Sequence, residues 1–143
     1  MPEFNFEITV GRPKLQDYKV LSAGMLRYHR ELGHPRTSET INIFLKDSKH
    51  QVHGGIIGTV LWNGLEINSL WVAESLRGQN YGRQLVEALE KEGEKRGCTL
   101  IYTNTFTWQA PGFYEKLGFK SYGQLDNFPP GNSLIYYSKN LEV

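Results

Sequence analysis

One stretch of this chain has the residue types to hold a phosphate. It reads Leu70-Trp71-Val72-Ala73-Glu74-Ser75-Leu76-Arg77-Gly78-Gln79-Asn80-Tyr81-Gly82-Arg83-Gln84-Leu85. An apolar run of strand character ends near Val72, a short polar loop follows, and a helical pattern begins near Arg83. The loop brings Arg77, Gly78 and Gly82 close together. The first N–H groups of a helix have no internal acceptor and lie at the positive end of its dipole. Small residues there let an anion approach the backbone, so the segment reads as a pyrophosphate-binding turn. Taken alone, it fits an ordinary glycine-containing strand–helix connection equally well. Other chemistry is thin. His29, His34, His50 and His53 have no metal-ligand spacing. Cys98 is the one cysteine, which excludes an intrachain disulfide framework. It opens an apolar run after Gly97 and reads as a small core residue rather than a nucleophile.

The elements that must position this loop follow from periodicity. Phe4, Phe6, Ile8 and Val10 alternate with polar residues, the period of a half-buried strand, and Gly11-Arg12-Pro13 breaks it. From about Lys14 to Leu32 the period changes: Leu15, Tyr18, Ser22, Met25 and His29 lie near one helical stripe, which Leu21, Leu26 and Leu32 broaden. Gly24 within it costs about 1 kcal/mol relative to alanine. Gly33-His34-Pro35 stops the helix. Ile41, Ile43 and Leu45 alternate, Asp47-Ser48-Lys49-His50 reads as a turn, and Val52 to Trp62 as a longer strand. Asn63-Gly64 predicts a type I′ hairpin with positive φ at both residues. Three successive antiparallel strands are therefore expected between about Thr40 and Val72.

Strand and helix then alternate. Arg83 to Arg96 is amphipathic, with Tyr81, Leu85, Ala88 and Leu89 on one face. Glu87 with Lys91 and Glu92 with Arg96 are spaced for i,i+4 pairing. Thr99 to Phe106 is rich in β-branched and aromatic residues. A short helix over Pro111 to Leu117 closes at Gly118. Strands over Phe119 to Tyr122 and Leu134 to Ser138 flank an Asp126 to Asn132 loop. The expected class is α+β, a three-layer arrangement of a mixed, mostly antiparallel, splayed sheet with helices on both faces.

Composition narrows the classes. The 143 residues are 39% apolar, enough for a single domain over 1–143 and too few for two ordinary ones. A formal charge of +1 argues against nucleic acid as the main partner. No apolar run approaches the roughly 20 residues of a membrane helix. Met1-Pro2-Glu3-Phe4 shows neither a basic region nor an apolar one, so a cytoplasmic protein without a signal peptide is expected.

Arg77-Gly78-Gln79-Asn80-Tyr81-Gly82 resembles the cofactor motif Arg/Gln-x-x-Gly-x-Gly/Ala of the GNAT superfamily of N-acetyltransferases. Asn80 departs from the usual Gly, and Asn is the non-glycine residue that best tolerates positive φ. About thirty residues on, Ala110-Pro111-Gly112-Phe113-Tyr114-Glu115-Lys116-Leu117-Gly118-Phe119 resembles the family's second signature. The order of elements is similar over nearly the whole chain, and the overall pattern is similar to small stand-alone bacterial members.

The resemblance implies a GNAT-like fold and transfer of the acetyl group of acetyl-CoA to a primary amine by direct attack in a ternary complex, without metal. It implies that the backbone of Gln79, Asn80, Tyr81, Gly82 and Arg83, with Arg77 and Gly78, holds the pyrophosphate. The edge of Leu70-Trp71-Val72 would take the pantetheine arm as an added strand, if that strand splays from Thr99–Phe106. Thr107, Ala110, Phe113 and Lys116 are further cofactor candidates, Thr107 standing where relatives carry an Asn and Lys116 near the adenosine phosphates. Tyr114 is the implied general acid for the departing thiolate. Glu66, eleven residues before Arg77, is the candidate base that takes the amine's proton, directly or through water. The amine would enter beside the first helix, the Gly33–Ser38 loop and the Asp126–Ser133 loop. The family and the aromatics Tyr136 and Tyr137 permit a homodimer. Two other readings stand beside this one: a non-catalytic acyl-CoA binding or sensing module, and an interaction domain with no CoA site.

Overall fold

The computed structural model of the chain describes residues 2–141. The elements run in the order α1 (Leu15–Glu31), β1 (Ser38–Lys46), β2 (Val52–Leu61), β3 (Gly64–Val72), α2 (Tyr81–Lys95), β4 (Leu100–Phe106), α3 (Pro111–Lys116), β5 (Lys120–Asp126) and β6 (Ser133–Asn140). They fall into two compact units, Met1–Arg36 and Thr37–Val143.

The first unit is α1 and its flanks. Gly33 adopts φ +83 immediately beyond the helix, as its stop signal requires. Residues 4–10 form no strand, contrary to their alternation. Alternation supplies two faces, but a strand exists through its ladder of inter-strand hydrogen bonds. Phe4, Phe6, Ile8 and Val10 are fully or almost fully exposed.

The second unit is a six-stranded sheet in the order β1-β2-β3-β4-β6-β5. Every neighbouring pair is antiparallel except β3 with β4. The three successive antiparallel strands are thus present. The hairpin loop between β2 and β3 is Trp62-Asn63, one residue earlier than expected, and the positive φ (+52) falls on Trp62. Gly64 instead pairs with Leu61 and begins β3.

Helix α2 starts at Tyr81, two residues before its clearest amphipathic pattern, and buries Leu85, Val86, Leu89 and Gly93. These pack with Ile56, Val60, Leu65, Ile67 and Ile101 of the sheet and with Tyr114 of α3 in one core. Fully burying a side chain of that size stabilises by about 1.5–3 kcal/mol. Glu92 bonds Arg96 at 2.7 Å as expected, whereas Glu87 accepts from Arg83 at 2.8 Å, one turn before it, in place of the expected Lys91. Cys98 is fully buried, and burial holds its thiol above the ordinary value, which fits a packing residue. Tyr137 is 1% exposed and donates to Glu115 at 3.0 Å, so it belongs to the core and offers no surface for a second copy.

Candidate active site

Two ladders set the geometry. β3 pairs with β4 only over Gly64↔Leu100, Leu65↔Ile101 and Glu66↔Tyr102. Beyond Glu66 the two strands diverge, which leaves Ile67–Val72 without a strand on that side. On its other side β3 carries a bulge: Ile57 pairs with Ser69 and Gly58 with Ile67, so Asn68 is the extra residue. A bulge bends its strand and sharpens its twist. The buried Thr103 caps the fork by donating its hydroxyl to Ile67 O at 3.2 Å.

The open flank of β3 continues into a cavity of about 860 Å³. Leu70, Trp71 and Val72 line one wall, Arg77, Gly78, Asn80, Tyr81, Gly82 and Arg83 the end, and Trp108, Ala110, Phe113 and Lys116 the wall opposite. Gly78 (φ +79) and Asn80 (φ +71, ψ 12) are both left-handed, so Asn80 performs the backbone role for which glycine is usual. The first backbone bond into α2 is Gln84 N–H to Asn80 O at 3.1 Å. The amides of residues 78–83 have no protein acceptor among the described residues, as expected of a helix's first turn. Gly82 lies against α3: a Cβ there would stand 3.2 Å from the Phe113 ring. Arg77 reaches back to the end of β3, donating from Nε to Val72 O at 3.0 Å.

The second signature is explained residue by residue. Tyr114 is 5% exposed, its ring against Phe113, Phe119 and Tyr137. Burial raises its phenol above the ordinary value, partly opposed by hydrogen bonding with the Thr103 side chain. The Tyr114 hydroxyl therefore sits at the fork, next to the residue that bridges to Ile67. Glu115 accepts from Tyr137, Lys116 faces the cavity, and Leu117 O accepts from Lys139 at 2.9 Å. Lys139 also pairs with Glu90 of α2 at 2.9 Å, which fastens both helices to β6.

Glu66 lies on the other face of the sheet from Leu65, Ile67 and α2. Its carboxylate accepts from Asn68 Nδ2 at 2.6 Å, and Asn68 Oδ1 accepts from Thr59 Oγ1 at 2.7 Å. Burial, the Glu66 charge, Tyr122 and a hydrogen bond to Glu66 together raise the Tyr102 phenol. Glu66 and Tyr114 thus approach the fork from opposite faces.

Four candidates are not among the residues lining the cavity: Glu66 and the buried Tyr114, placed above, and Thr107 and Gln79. Thr107 does not line the cavity: its hydroxyl donates to Asn132 at 2.9 Å and accepts from Ser133 N–H at 3.3 Å, pinning the loop before β6. The Gln79 side chain points back to Ser75 O at 3.4 Å. Thr103, Asn68, Tyr102 and Trp108 were not singled out by the motifs. Only Trp108, beside Thr107 in the linear order, carried any local signal.

A mixed sheet split between its middle strands, with an amide-lined cavity at the split, is the architecture of the acyl-CoA acyltransferases. The model of the acetyltransferase (GNAT) domain matches residues 39–121. The chain is 31% identical over 97 residues to blasticidin-S acetyltransferase of Streptomyces morookaense, covering 67% of this chain and 71% of that protein. The crystal structure of an acetyltransferase from Agrobacterium tumefaciens superposes with a TM-score of 0.87 at 26% identity, over 96% of this chain and all of that one. An aminoglycoside 6′-N-acetyltransferase complexed with coenzyme A gives 0.65 at 26% identity, over 80% of this chain and 78% of that one. The chain belongs to the GNAT acetyltransferases and is an acyltransferase. Among the described residues no cluster of side chains could hold a metal ion, and no helix is long and apolar enough to cross a membrane.

Proposed function

We propose that the protein transfers the acetyl group of acetyl-CoA to the primary amine of an acceptor, within one ternary complex and as one domain. The carrying observation is the run of unpartnered amides at 78–83, opening into a cavity continuous with the free edge of β3. Amides at a helix start favour a pyrophosphate, and an unpaired strand edge favours an amide-bearing arm. Arg77, Arg83 and Lys116 add positive charge around the same space.

The cosubstrate supplies an activated thioester, and the chain's residues do the rest. Glu66 takes the proton that the amine must lose, directly or through a water. Asn68 and Tyr102 hold its carboxylate in place. Tyr114 gives its proton to the departing thiolate sulfur. Its buried phenol stays protonated throughout the neutral range, which keeps the donor loaded. The amine nitrogen forms the new amide bond as the carbon–sulfur bond breaks, so no covalent acetyl-enzyme is needed.

The test is an acetyl-CoA turnover assay on a chemically varied amine panel, followed by free CoA thiol and by the mass of the product. Acetylated product with one class of amine is the expected result. Tight CoA binding with no transfer to any amine would refute the reading.

A further inference from the structure

The sheet face opposite α2 and α3 in the second unit carries a row of groups that runs from the base Glu66 onto aromatic rings outside the acid–base chemistry. It begins at Glu66, cross-strand from Thr59 and Tyr102. Tyr122 stands beside Tyr102, and the Tyr122 and Tyr136 ring centres are 6.0 Å apart. Tyr136 pairs with Asn104, one step further along this face of β4 from Tyr102. The next step is Phe106, stacked on Trp108 at 4.7 Å and 5°, with Phe128 tilted against it at 5.6 Å. Tyr122 and Phe128 are 60% and 47% exposed, so ring surface lies open along the row, while Trp108 at its end lines the cavity.

This chemistry is selective. A carboxylate beside the electron-rich faces of aromatic rings attracts a cation, and the rings reward a flat unsaturated partner. The other acidic side chains of the sheet are engaged elsewhere: Glu39 meets Arg96 of α2 at 3.3 Å, and Asp126 accepts from Ser133 at 3.1 Å. Among the described residues of the strands, Glu66 is the one carboxylate left on this face, too few for a sugar bearing several ammonium groups. Two residues along a strand span about 7 Å. That separates the Glu66↔Tyr102 level from the Asn104↔Tyr136 level, the reach of an aminoethyl or aminopropyl chain.

We propose that the acceptor is a small cationic amine joined through two or three bonds to a planar aromatic or heteroaromatic ring. The amine lies at Glu66 and the ring lies on Tyr122 and Tyr136, extending toward Phe106 and Phe128. The inference rests on the acetyl-transfer reading for the name acceptor, but its binding claim is separable from it.

The test compares tryptamine with 2-cyclohexylethylamine, which has the same charge and spacer without a π system, and with kanamycin. Calorimetry reads binding to the CoA-saturated protein, and mass spectrometry reads transfer. Tryptamine is expected to bind at least tenfold more tightly than the cyclohexyl amine. In Tyr136→Leu and, separately, Phe128→Leu the preference should shrink to below threefold while CoA affinity holds. Equal binding of the two amines, equal weakening of both in the variants, or kanamycin as the tightest ligand would overturn the inference. Preferential binding without transfer would leave it standing and remove the acetyl-transfer reading. Transfer to all amines with equal efficiency would do the reverse.

Discussion

Replacing Tyr114 by Phe separates the chemistry of the fork from its packing. The ring is 5% exposed and rests on Phe113, Phe119 and Tyr137, and Phe keeps those contacts. What is lost is one hydroxyl. Thr103 retains its bond to Ile67 O at 3.2 Å, so no buried donor is orphaned. A net hydrogen bond contributes about 0.5–1.5 kcal/mol, and the stability loss should fall at the low end of that range. A positioned general acid contributes about 10²–10⁴-fold to the rate. The expectation is therefore a kcat lower by about 10² or more, with the dissociation constant of CoA changed less than twofold and the midpoint of thermal unfolding lower by only a few degrees. Steady-state kinetics with the best acceptor, CoA calorimetry and a melting curve on the same preparation decide it. A kcat within threefold of the parent would refute the role of Tyr114 as acid. A CoA affinity falling in step with kcat would show that the hydroxyl binds rather than protonates.

Further outcomes follow from the same geometry. Gly82→Trp places an indole where a Cβ alone would stand 3.2 Å from Phe113, so the stabilisation by millimolar CoA expected in the parent's melting curve should be absent from the variant's. Asn80→Gly should be neutral or slightly stabilising and keep CoA affinity, whereas Asn80→Val, β-branched at φ +71, should lose at least about 1–2 kcal/mol in urea unfolding. Glu66→Gln should lower kcat by about 10²-fold without affecting CoA affinity, with part of the loss recovered at higher pH as more amine is free; a pH-independent loss would argue against a base. Stability should also fall at both pH extremes. Tyr102, Tyr114, Tyr137 and Cys98 are raised, so their contribution is complete below the ordinary 10.0 and 9.0 and is lost as pH climbs past them. Asp47, bonded by His53, and Glu92, bonded by Arg96, are lowered from 3.8 and 4.5, so their contribution is lost as pH drops through the lowered values. Scanning calorimetry from pH 3 to 11 should show a plateau between.

Much of this was legible in the linear order because the relevant physics is local. Asn80 could be assigned a left-handed backbone from its type and place in the motif, and φ is +71. The stripe Leu85, Ala88, Leu89 specified which side of α2 meets the sheet. Residues 4–10 misled because alternation is a property of a segment, whereas a strand is a property of a pair. Thr107 has a partner of the same long-range kind: its position in the chain matches a cofactor contact, and its hydroxyl bonds Asn132, 25 residues away. Thr103 was invisible because its partner is Ile67 O, 36 residues away, and a threonine in a β-rich run carries no mark of that.

The split in the sheet has a cause in three neighbouring residues. Parallel pairing of β3 with β4 stops at Glu66↔Tyr102. The next carbonyl on β3, Ile67 O, is taken by a side chain, that of Thr103, rather than by a backbone N–H of β4. The residue after it, Asn68, is the bulge that turns β3 within its pairing to β2. Each would cost stability in an ordinary sheet, since backbone groups between Ile67 and Val72 forgo a strand partner. Together they place an unpaired edge beside a helix start whose amides also lack acceptors. Thr103→Val tests this account: without the hydroxyl, Ile67 O loses its acceptor role and the fork loosens. CoA affinity should fall, although Thr103 does not itself line the cavity. Unchanged affinity would mean that the bulge alone holds the fork open.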